Sequence, residues 1–259
     1  MSDTILRESA AGVLTVTLNR PDALNSFTVE MKDALLIGLK DAARDKEVRA
    51  LVLTGAGRAF SAGQDLKERQ GPDVADLGAE LRVRYNPIIL AMRRLEKPIV
   101  GAINGVAAGA GISIAMACDV IYASDKASFT EAFSRVGLVP DTGSTWFLPR
   151  LVGPARAAEM MFTGDAVDAV TAERIGLVNR VVSADQLMTE ATAFAQRLAK
   201  SAPIALALAK RALNRGYEMS LEEALDYEAQ LQSIAGRSAD HREGVAAFVE
   251  KRPAEFKGE

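Results

Sequence analysis

Two kinds of hydrophobic periodicity alternate along the chain and predict a mixed α/β fold. Residues 13–19 alternate apolar and polar side chains, as a half-buried strand does, whereas residues 28–44 repeat apolar positions at helical spacing. Short apolar runs at residues 49–54 and 98–104 flank a further helical pattern over residues 76–95. We expect these two runs to be buried parallel strands that are joined by a helical crossover.

The last third of the chain carries an almost continuous helical pattern. Before it, residues 105–111 are glycine-rich and predict a loop, residues 112–117 predict a helix, and residues 119–123 and 177–182 predict two further strands. Helical segments then follow at residues 184–200, 204–216, 221–234 and 239–251. We expect these helices to pack on the preceding part of the chain or on a neighbouring subunit.

Composition and charge narrow the classes of function. The 259 residues are 49% hydrophobic and 25% charged, which is typical of a globular protein. A net charge of -3 at pH 7 argues against a nucleic-acid partner. Residues 1–4 do not begin a signal peptide, and no apolar stretch reaches the roughly 18 residues that a membrane-spanning helix needs. Because Cys118 is the only cysteine and no internal disulfide is possible, we expect a cytoplasmic protein with no membrane partner.

The single histidine constrains metal and nucleophile chemistry. His241 lies in a polar run at residues 238–243, distant in sequence from the other candidate residues, and we expect it to be a solvated surface residue. Clusters of several His and Cys ligands are therefore excluded, whereas an all-carboxylate metal site is not. A nucleophile activated by histidine would have to recruit His241. We expect no metal site.

Two glycine-rich segments follow predicted strands and could bind a ligand. Residues 54–66 should cross the carboxyl edge of the sheet, but they match neither the P-loop nor the dinucleotide fingerprint. Residues 104–111 lead directly into a helix whose first N–H groups lack acceptors, which suits an anion. If the segments lie together, one N–H from each could form an oxyanion hole. Alternatively, the first segment is a plain turn, and the glycines of the second only permit close packing of a helix on a strand.

A third segment, residues 136–150, places Asp141 between an apolar stretch and a Gly-Ser turn. The neighbouring Leu138, Val139 and Trp146 would exclude water from the carboxylate, raise its pKa and make it a better proton acceptor near neutral pH. Asp after Pro is also common as the N-cap of a helix, here one that starts shortly after it. The local pattern slightly favours the cap.

These segments, in this order and spacing, resemble the crotonase superfamily, which contains the enoyl-CoA hydratases and isomerases. The motifs that carry the resemblance over the whole chain are LNRPDALNS at residues 18–26, FSAGQDL at residues 60–66, AGAG at residues 108–111 and GVAAFVEKR at residues 244–252. The resemblance implies an α/β fold: a spiral core of ββα turns over residues 1–200, followed by a C-terminal helical trimerisation region over residues 201–259. It also implies an acyl-coenzyme A (CoA) substrate, a homotrimer or homohexamer, and no cofactor beyond the CoA of the substrate.

Matched residue by residue, the resemblance assigns the site. The oxyanion hole falls on the backbone N–H groups of Gln64 and Ala110, beside a helix that begins near Gly111. The positions carried over as CoA-binding are Ala23, Leu24, Ala62, Gly63, Gln64, Asp65, Leu66 and Ala110. Asp141 occupies the position of the catalytic aspartate in several isomerases of the superfamily.

Departures from the hydratase pattern favour an isomerase. Hydratases use two glutamates to activate water, and the corresponding residues here are Ser113 and Phe133. The segments that most closely resemble the isomerases of ring-1,2-epoxyphenylacetyl-CoA in phenylacetate breakdown are residues 132–134, 137–146 and 235–240. The resemblance therefore implies that Asp141 removes the α-proton of the thioester while the Gln64 and Ala110 amides hold the enolate, and that the product is an oxepin-CoA.

Three alternatives stay open. A Δ3,Δ2-enoyl-CoA isomerase of fatty-acid oxidation would use the same groups on a linear substrate, an enoyl-CoA hydratase is disfavoured by the missing glutamates, and an inert CoA-binding subunit would bind without proton exchange. Tyr85, Phe133 and Trp146 could line a pocket for an aromatic acyl group, although large apolar residues are more often core. Ser144 replaces the glycine of the epoxide isomerases, which narrows the backbone freedom of the turn but removes no catalytic group.

Overall fold

The strands form two sheets in the computed structural model, which describes residues 4–69 and 76–259. Residues 1–3, part of the N-terminal segment that we interpret as untargeted, lie outside that range. The strands are β1 (Ile5–Ala10), β2 (Val13–Leu18), β3 (Ala50–Gly55), β4 (Ala59–Ser61), β5 (Ile99–Ile103), β6 (Val106–Ala108), β7 (Val120–Ser124), β8 (Ser128–Thr130), β9 (Ala166–Asp168) and β10 (Arg180–Val182).

The larger sheet has the strand order β1-β2-β3-β5-β7-β10. Strands β1 and β2 pair antiparallel across a tight turn at Ala11 and Gly12, which both have positive φ. From β2 onward all neighbours are parallel, and β3 pairs with β5 as the sequence predicted, with Leu51 opposite Ile99. Every residue of β3 is buried because helices cover both faces of the sheet.

The α-helices include the predicted periodic segments, together with α6 and α7, which the sequence analysis did not predict. They are α1 (Val29–Arg44), α2 (Leu77–Glu80), α3 (Asn86–Arg94), α4 (Ala110–Met116), α5 (Ser144–Val152), α6 (Pro154–Thr163), α7 (Ala169–Arg174), α8 (Leu187–Ala199), α9 (Pro203–Gly216), α10 (Leu221–Ala235) and α11 (Ala239–Glu250). The predicted helix over residues 76–95 is interrupted by a π-helical stretch, Leu81–Tyr85, where the Asn86 N–H bonds to the Leu81 carbonyl. Pro87 follows, and a widened turn relieves the clash of its ring with the preceding helical turn.

The second sheet was not predicted from the sequence. Strands β4, β6, β8 and β9 form it in that order, with β4, β6 and β8 parallel and β9 antiparallel. Strands β4 and β6 lie inside the two glycine-rich segments that we interpreted as loops. In the larger sheet, the strand predicted at residues 177–182 is shorter than expected. It is β10, which begins at Arg180, and the preceding Leu177 and Val178 are buried in the core outside the strand. Each element of the second sheet has only three residues, too few for a hydrophobic period to show.

Helix α9 of the C-terminal region is joined to the core by polar side chains. Lys210 of α9 donates to the Asp119 carboxylate at 2.7 Å, and the Asn214 amide donates to the Arg93 carbonyl at 2.8 Å. His241 lies exposed in the first turn of α11, as predicted. None of the helices within the described ranges has the length and apolarity to span a membrane.

Candidate active site

The two glycine-rich segments lie against each other at backbone distance. A Cβ atom on Gly63 would be 3.2 Å from the Ala110 nitrogen and 2.7 Å from the Ala108 carbonyl oxygen. A Cβ atom on Gly111 would be 2.3 Å from the Ser61 carbonyl oxygen. Since real side chains do not tolerate such contacts, glycine at both positions lets β4 and the start of α4 approach closely. The glycines therefore do permit close packing of the helix on the strand, and this packing brings the two segments together.

Two backbone N–H groups point out of this junction. Phe27 makes backbone hydrogen bonds to both neighbours of Gln64: it accepts from Asp65 N–H at 3.0 Å and donates to the Gly63 carbonyl at 2.7 Å. The Gln64 N–H therefore faces away from Phe27. Ala110 is the first residue of α4, and its N–H has no acceptor within the helix. In the parts of the chain that the structure describes, neither N–H donates a hydrogen bond. Their use as an oxyanion hole stays a prediction.

Buried groups hold the Gln64 side chain. Its Oε1 accepts hydrogen bonds from the Tyr85 hydroxyl at 2.8 Å and from Lys32 Nζ at 3.1 Å. Lys32 is also paired with Glu80 and lies 4.7 Å from the centre of the Tyr85 ring. Tyr85 is thus a core residue beneath the segment at residues 62–65, which we call the Gln64 loop. Lys32 is a buried cation that the sequence analysis did not single out.

The two loops assigned to CoA are joined by a hydrogen bond. Ala62 N–H donates to the Leu24 carbonyl at 2.9 Å, which places the neighbours Ala23 and Gly63 on adjoining loops. Leu24 has a φ of 50°, so this turn uses a left-handed residue other than glycine. The two loops therefore form one surface beside α4, and their contact with CoA stays a prediction.

The side chain of Asp65 is used inside the protein. Its carboxylate pairs with Arg20 at 2.8 Å and accepts from the Ser26 hydroxyl at 3.2 Å and from Lys67 N–H at 3.0 Å. Burial by itself would raise the pKa of Asp65, but the hydrogen bond from Arg20, together with the other donors, lowers it below its ordinary value. Asp65 therefore fixes the loop from within, whereas Leu66, the next assigned position, is exposed.

Asp141 lies on a turn with unusual backbone geometry. Thr142 has a φ of 54° and Gly143 a φ of 88°, and the Thr142 hydroxyl donates to Asp141 Oδ1 at 2.7 Å. Gly143 is the N-cap of α5, with no hydrogen bond from a side chain, so the preference for Asp141 as a helix cap was wrong. Leu138 and Val139 are exposed and do not shield the half-buried Asp141 as we expected.

The Asp141 turn rests on the first turn of α4. The Ser113 hydroxyl lies 3.2 Å from the Asp141 carbonyl oxygen, and Ser144 N–H donates to the same oxygen at 2.9 Å. The Ser113 and Ser144 hydroxyl oxygens are 2.7 Å apart. Because Ala110 begins the helix that carries Ser113, these contacts bring Asp141 to the same end of α4 as the two backbone N–H groups.

The residues at the two hydratase positions are buried and carry no acid. Ser113 is fully buried in the contacts just described, and the Phe133 ring lies beside Gly109, where an added Cβ would be 4.0 Å from its Cζ. Trp146, the third aromatic candidate, packs on Phe147 and on Tyr217 of the C-terminal region, at ring distances of 4.9 and 6.0 Å. Phe133 thus lies beside the second glycine-rich segment, whereas Trp146 packs toward the C-terminal region.

A buried carboxyl group near Asp141 was missed by sequence reasoning. Glu131 is completely buried, and its Oε1 accepts from the Ser144 hydroxyl at 2.8 Å. Burial, with a contribution from the charge of Asp141, raises the pKa of Glu131 to about 7, although the Ser144 hydrogen bond opposes the rise. A weak signal was available, because Glu131 directly follows β8, two residues after the buried Phe129.

Comparison with known proteins decides the family. A family model described as enoyl-CoA hydratase/isomerase matches residues 8–259. The chain belongs to the enoyl-CoA hydratase/isomerase family. Over its whole length it is 44% identical to the 1,2-epoxyphenylacetyl-CoA isomerase of Escherichia coli, whose chain is also fully covered.

Other relatives of this family member carry the hydratase name. A protein of Rhodobacter capsulatus named "Probable enoyl-CoA hydratase" is 42% identical, with 98% of both chains covered. The crystal structure of an enoyl-CoA hydratase from Mycobacterium smegmatis superposes with a TM-score of 0.93 at 34% identity, covering 98% of this chain and 99% of the other. The predicted crotonase-like α/β fold is thereby confirmed. Across the described residues no group of three His, Cys, Asp or Glu side chains could hold a metal ion.

Proposed function

We propose that this protein is an acyl-CoA isomerase that converts ring-1,2-epoxyphenylacetyl-CoA to the isomeric oxepin-CoA. The observation that carries the proposal is the contact between the Asp141 turn and the first turn of α4, made through Ser113. It brings the backbone of Asp141 to the end of α4 where the N–H groups of Gln64 and Ala110 donate no hydrogen bond, which supports a role for the Asp141 carboxylate there. The 44% identity to an enzyme named for this reaction favours the epoxide over other acyl groups.

The geometry supports a single proton transfer path. Asp141 takes the α-proton of the thioester, the electron pair of that C–H bond forms the enolate double bond, and the negative charge moves to the thioester oxygen. Each N–H of an oxyanion hole contributes about 3 kcal/mol to such a charge. With the ring epoxide, the C–C bond shared by the epoxide and the six-membered ring breaks while both C–O bonds are kept, so the ring expands to the seven-membered oxepin, and Asp141 returns the proton to the ring carbon at the γ-position. With a β,γ-enoyl-CoA, Asp141 returns the proton at the γ-carbon, so that the formula is unchanged in both reactions.

The absence of acid at the hydratase positions supports isomerisation over hydration. Ser113 and Phe133 cannot deprotonate a water molecule, and Glu131 is buried against Ser144. Relatives named as hydratases make hydration the reaction to exclude. We expect no detectable addition of water to trans-2-butenoyl-CoA under conditions in which isomerisation is measurable.

The decisive experiment replaces Asp141 with Asn. We expect D141N to keep its fold and its affinity for CoA thioesters but to lose α-proton exchange by about 10³-fold or more. The assay follows deuterium uptake from D2O into phenylacetyl-CoA, whose α-carbon is acidified by the phenyl ring. Asp185→Asn, an exposed carboxylate outside the site, is the control and should exchange at the wild-type rate. Equal rates in D141N and wild type would refute the proposal, and no exchange in wild type would favour an inert CoA-binding subunit.

A substrate comparison separates the epoxide from a linear enoyl group. Turnover of ring-1,2-epoxyphenylacetyl-CoA should exceed that of trans-3-hexenoyl-CoA in kcat/KM. The reverse order would assign the chain to Δ3,Δ2-enoyl-CoA isomerisation, which uses the same Asp141. Phe133→Ala adds a test of the acyl pocket, because loss of the ring beside Gly109 should lower kcat/KM for the aromatic substrate more than for the linear one.

We also propose that the protein is a homotrimer, or a homohexamer formed by two trimers. Large apolar side chains are exposed on the C-terminal helices, at 68% for Leu213, 76% for Leu221 and 85% for Phe248. Several large exposed apolar side chains within one helical region support an interface between subunits there. The α9–α11 region, within the predicted trimerisation region of residues 201–259, is where we expect the neighbouring subunit to pack.

A further inference from the structure

Glu131 is a buried acid that the proposed reaction does not use. Its side chain is inaccessible to solvent, and its Oε2 atom has no hydrogen-bond partner among the residues described. A fully buried ionised carboxylate with an unpartnered oxygen is unfavourable, whereas the protonated acid is not. Since its pKa is raised to about 7, both protonation states are accessible near neutral pH. Such a group, 2.8 Å from Ser144 and electrostatically coupled to Asp141, requires an explanation.

Two serine hydroxyls connect Glu131 to the backbone of Asp141. Glu131 Oε1 lies 2.8 Å from Ser144 Oγ, which lies 2.7 Å from Ser113 Oγ, which lies 3.2 Å from the Asp141 carbonyl oxygen. The Ser113 hydroxyl is also 3.2 Å from the Gly109 carbonyl. Each hydroxyl carries a single proton, so the donors along this chain must all point in one direction.

The protonation state of Glu131 sets that direction. When Glu131 is ionised, Ser144 donates to it, and Ser113 must then donate to Ser144, because two oxygens 2.7 Å apart need a proton between them. No proton is left for the Asp141 carbonyl. When Glu131 is protonated, it can donate to Ser144, Ser144 to Ser113, and Ser113 to that carbonyl. Only the protonated acid allows all three contacts between Glu131 and the Asp141 carbonyl to be hydrogen bonds.

We propose that Glu131 is a positioning residue that holds Asp141 in place through Ser144 and Ser113. The inference rests on the proposed role of Asp141 as the proton acceptor. The turn needs such support because Thr142, next to Asp141, adopts a left-handed backbone that is unfavourable for a residue other than glycine. Ser144 supports the turn twice, through its N–H to the Asp141 carbonyl and through its hydroxyl.

The charges around Glu131 are few. Asp141, on the turn before α5, is the charged group that acts on it, and like charges make ionisation of Glu131 less favourable. On the side of α6, Arg135 lies near the Glu131 backbone across Gly164, but it is paired with Asp165 at the surface at 2.9 Å. Ionisation of Glu131 should therefore both reverse the hydroxyl chain and place a second negative charge near Asp141.

The test compares Glu131→Gln, Glu131→Leu and Ser144→Ala with a matched control. Ser124→Ala removes another fully buried serine hydroxyl, at the end of β7 in the other sheet. Deuterium uptake into phenylacetyl-CoA gives kcat and KM between about pH 5.5 and about pH 8.5, the range in which a carboxyl group of this kind titrates. Circular dichroism and thermal unfolding establish that each variant is folded.

We expect Ser144→Ala and Glu131→Leu to lower kcat about 10- to 100-fold at unchanged KM, because small misplacements of a reacting group have effects of this size. Ser124→Ala should leave both constants unchanged. Glu131→Gln can donate from its amide as the protonated acid does, so it should keep kcat within about threefold of wild type. Wild-type kcat should fall as the pH rises through about 7, and Glu131→Gln should lack that fall.

The proposal is overturned if Ser144→Ala and Glu131→Leu behave like Ser124→Ala, or if Glu131→Gln keeps the wild-type pH dependence. If Glu131→Leu does not fold, Ser144→Ala tests the same hydrogen-bonded chain with a smaller change and is compared with Ser124→Ala. Failure of the positioning role is distinguishable from failure of the proposed function. In the first case Asp141→Asn is inactive while the Glu131 and Ser144 variants are normal, and in the second case Asp141→Asn itself is active.

Discussion

Lys32 is a cation at 1% exposure, and its surroundings indicate that it stabilises the Gln64 loop. Lys32→Met removes its ion pair with Glu80 and its 3.1 Å hydrogen bond to Gln64. We expect a loss of about 2 kcal/mol in the free energy of unfolding, measured with urea, since hydrogen bonds to buried charged groups contribute this much. Arg84→Met removes the more exposed partner of the same Glu80 carboxylate and should cost below about 1 kcal/mol. Equal losses in the two variants would contradict this account.

Because the pKa of Glu131 is raised, we expect the free energy of unfolding to depend on pH. The folded value is about 7 and the ordinary value is 4.5, so between these pH values the unfolded chain releases this proton while the folded chain keeps it. Stability from this group is thus highest below pH 4.5 and falls by about 3 kcal/mol as the pH rises to about 7. Glu131→Gln cannot ionise, so urea unfolding should show it gaining on wild type across this window. A constant difference between them would argue against a raised pKa.

The contrast between Asp141 and Glu131 shows what single residues reveal in a sequence. Asp141 could be identified from its place in a recognisable motif, yet its local pattern favoured a helix cap. The cap does not form because Thr142 and Gly143 both take left-handed backbone angles, and such angles depend on tertiary contacts. Glu131 could not be assigned a role, because its importance comes from burial and from Ser144, thirteen positions further along the chain.

Close contact between β4 and α4 is the feature that joins the two halves of the proposed oxyanion hole. Gly111→Ala would place a Cβ 2.3 Å from the Ser61 carbonyl oxygen, so the helix must shift away from the Gln64 loop. We expect a loss of about 2 kcal/mol in stability and a fall in kcat of about 100-fold. Gly216→Ala, at the end of α9 with nothing within 4 Å of the added atom, is the control. It should be neutral or stabilising by up to about 1 kcal/mol, and activity equal to wild type in Gly111→Ala would contradict the role of this contact.

Most of the longer helices were predictable as elements, whereas α6, α7 and the second sheet were not. The amphipathic period of α1 and its N-cap, where Thr28 accepts from Met31 N–H, are local properties of the sequence and were found from it. Strands β4 and β6 are three residues long and contain small side chains, so they form only because β8 and the larger sheet hold them. The candidate site lies at these short strands. Its residues could therefore be named from sequence motifs, whereas their arrangement in space could not be predicted.

At the scale of the whole molecule, the C-terminal helices combine a polar attachment with an apolar surface. Asp119 is the centre of the attachment: Arg93 and Lys210 donate to its carboxylate at 2.9 and 2.7 Å, and the Ile99 N–H donates at 2.8 Å. Burial lowers the pKa of Lys210, and pairing with Asp119 opposes this effect. A polar attachment of this kind fixes the direction of α9 while its other residues, such as Leu213, remain exposed.

Because apolar residues of α10 are exposed, we expect the assembly of subunits to depend on this helix. Leu225 of α10 and Ile37 of α1 have the same exposure, 56%, and differ in whether they belong to the C-terminal region. Leu225→Glu places a charge where we expect a neighbouring subunit, and burying an unpaired charge there is unfavourable. Native mass spectrometry should show trimers or hexamers for wild type and for Ile37→Glu, and a shift towards monomers for Leu225→Glu that reverses with protein concentration. If both variants dissociate equally, or if wild type is monomeric at every concentration, the interface does not lie on the C-terminal helices.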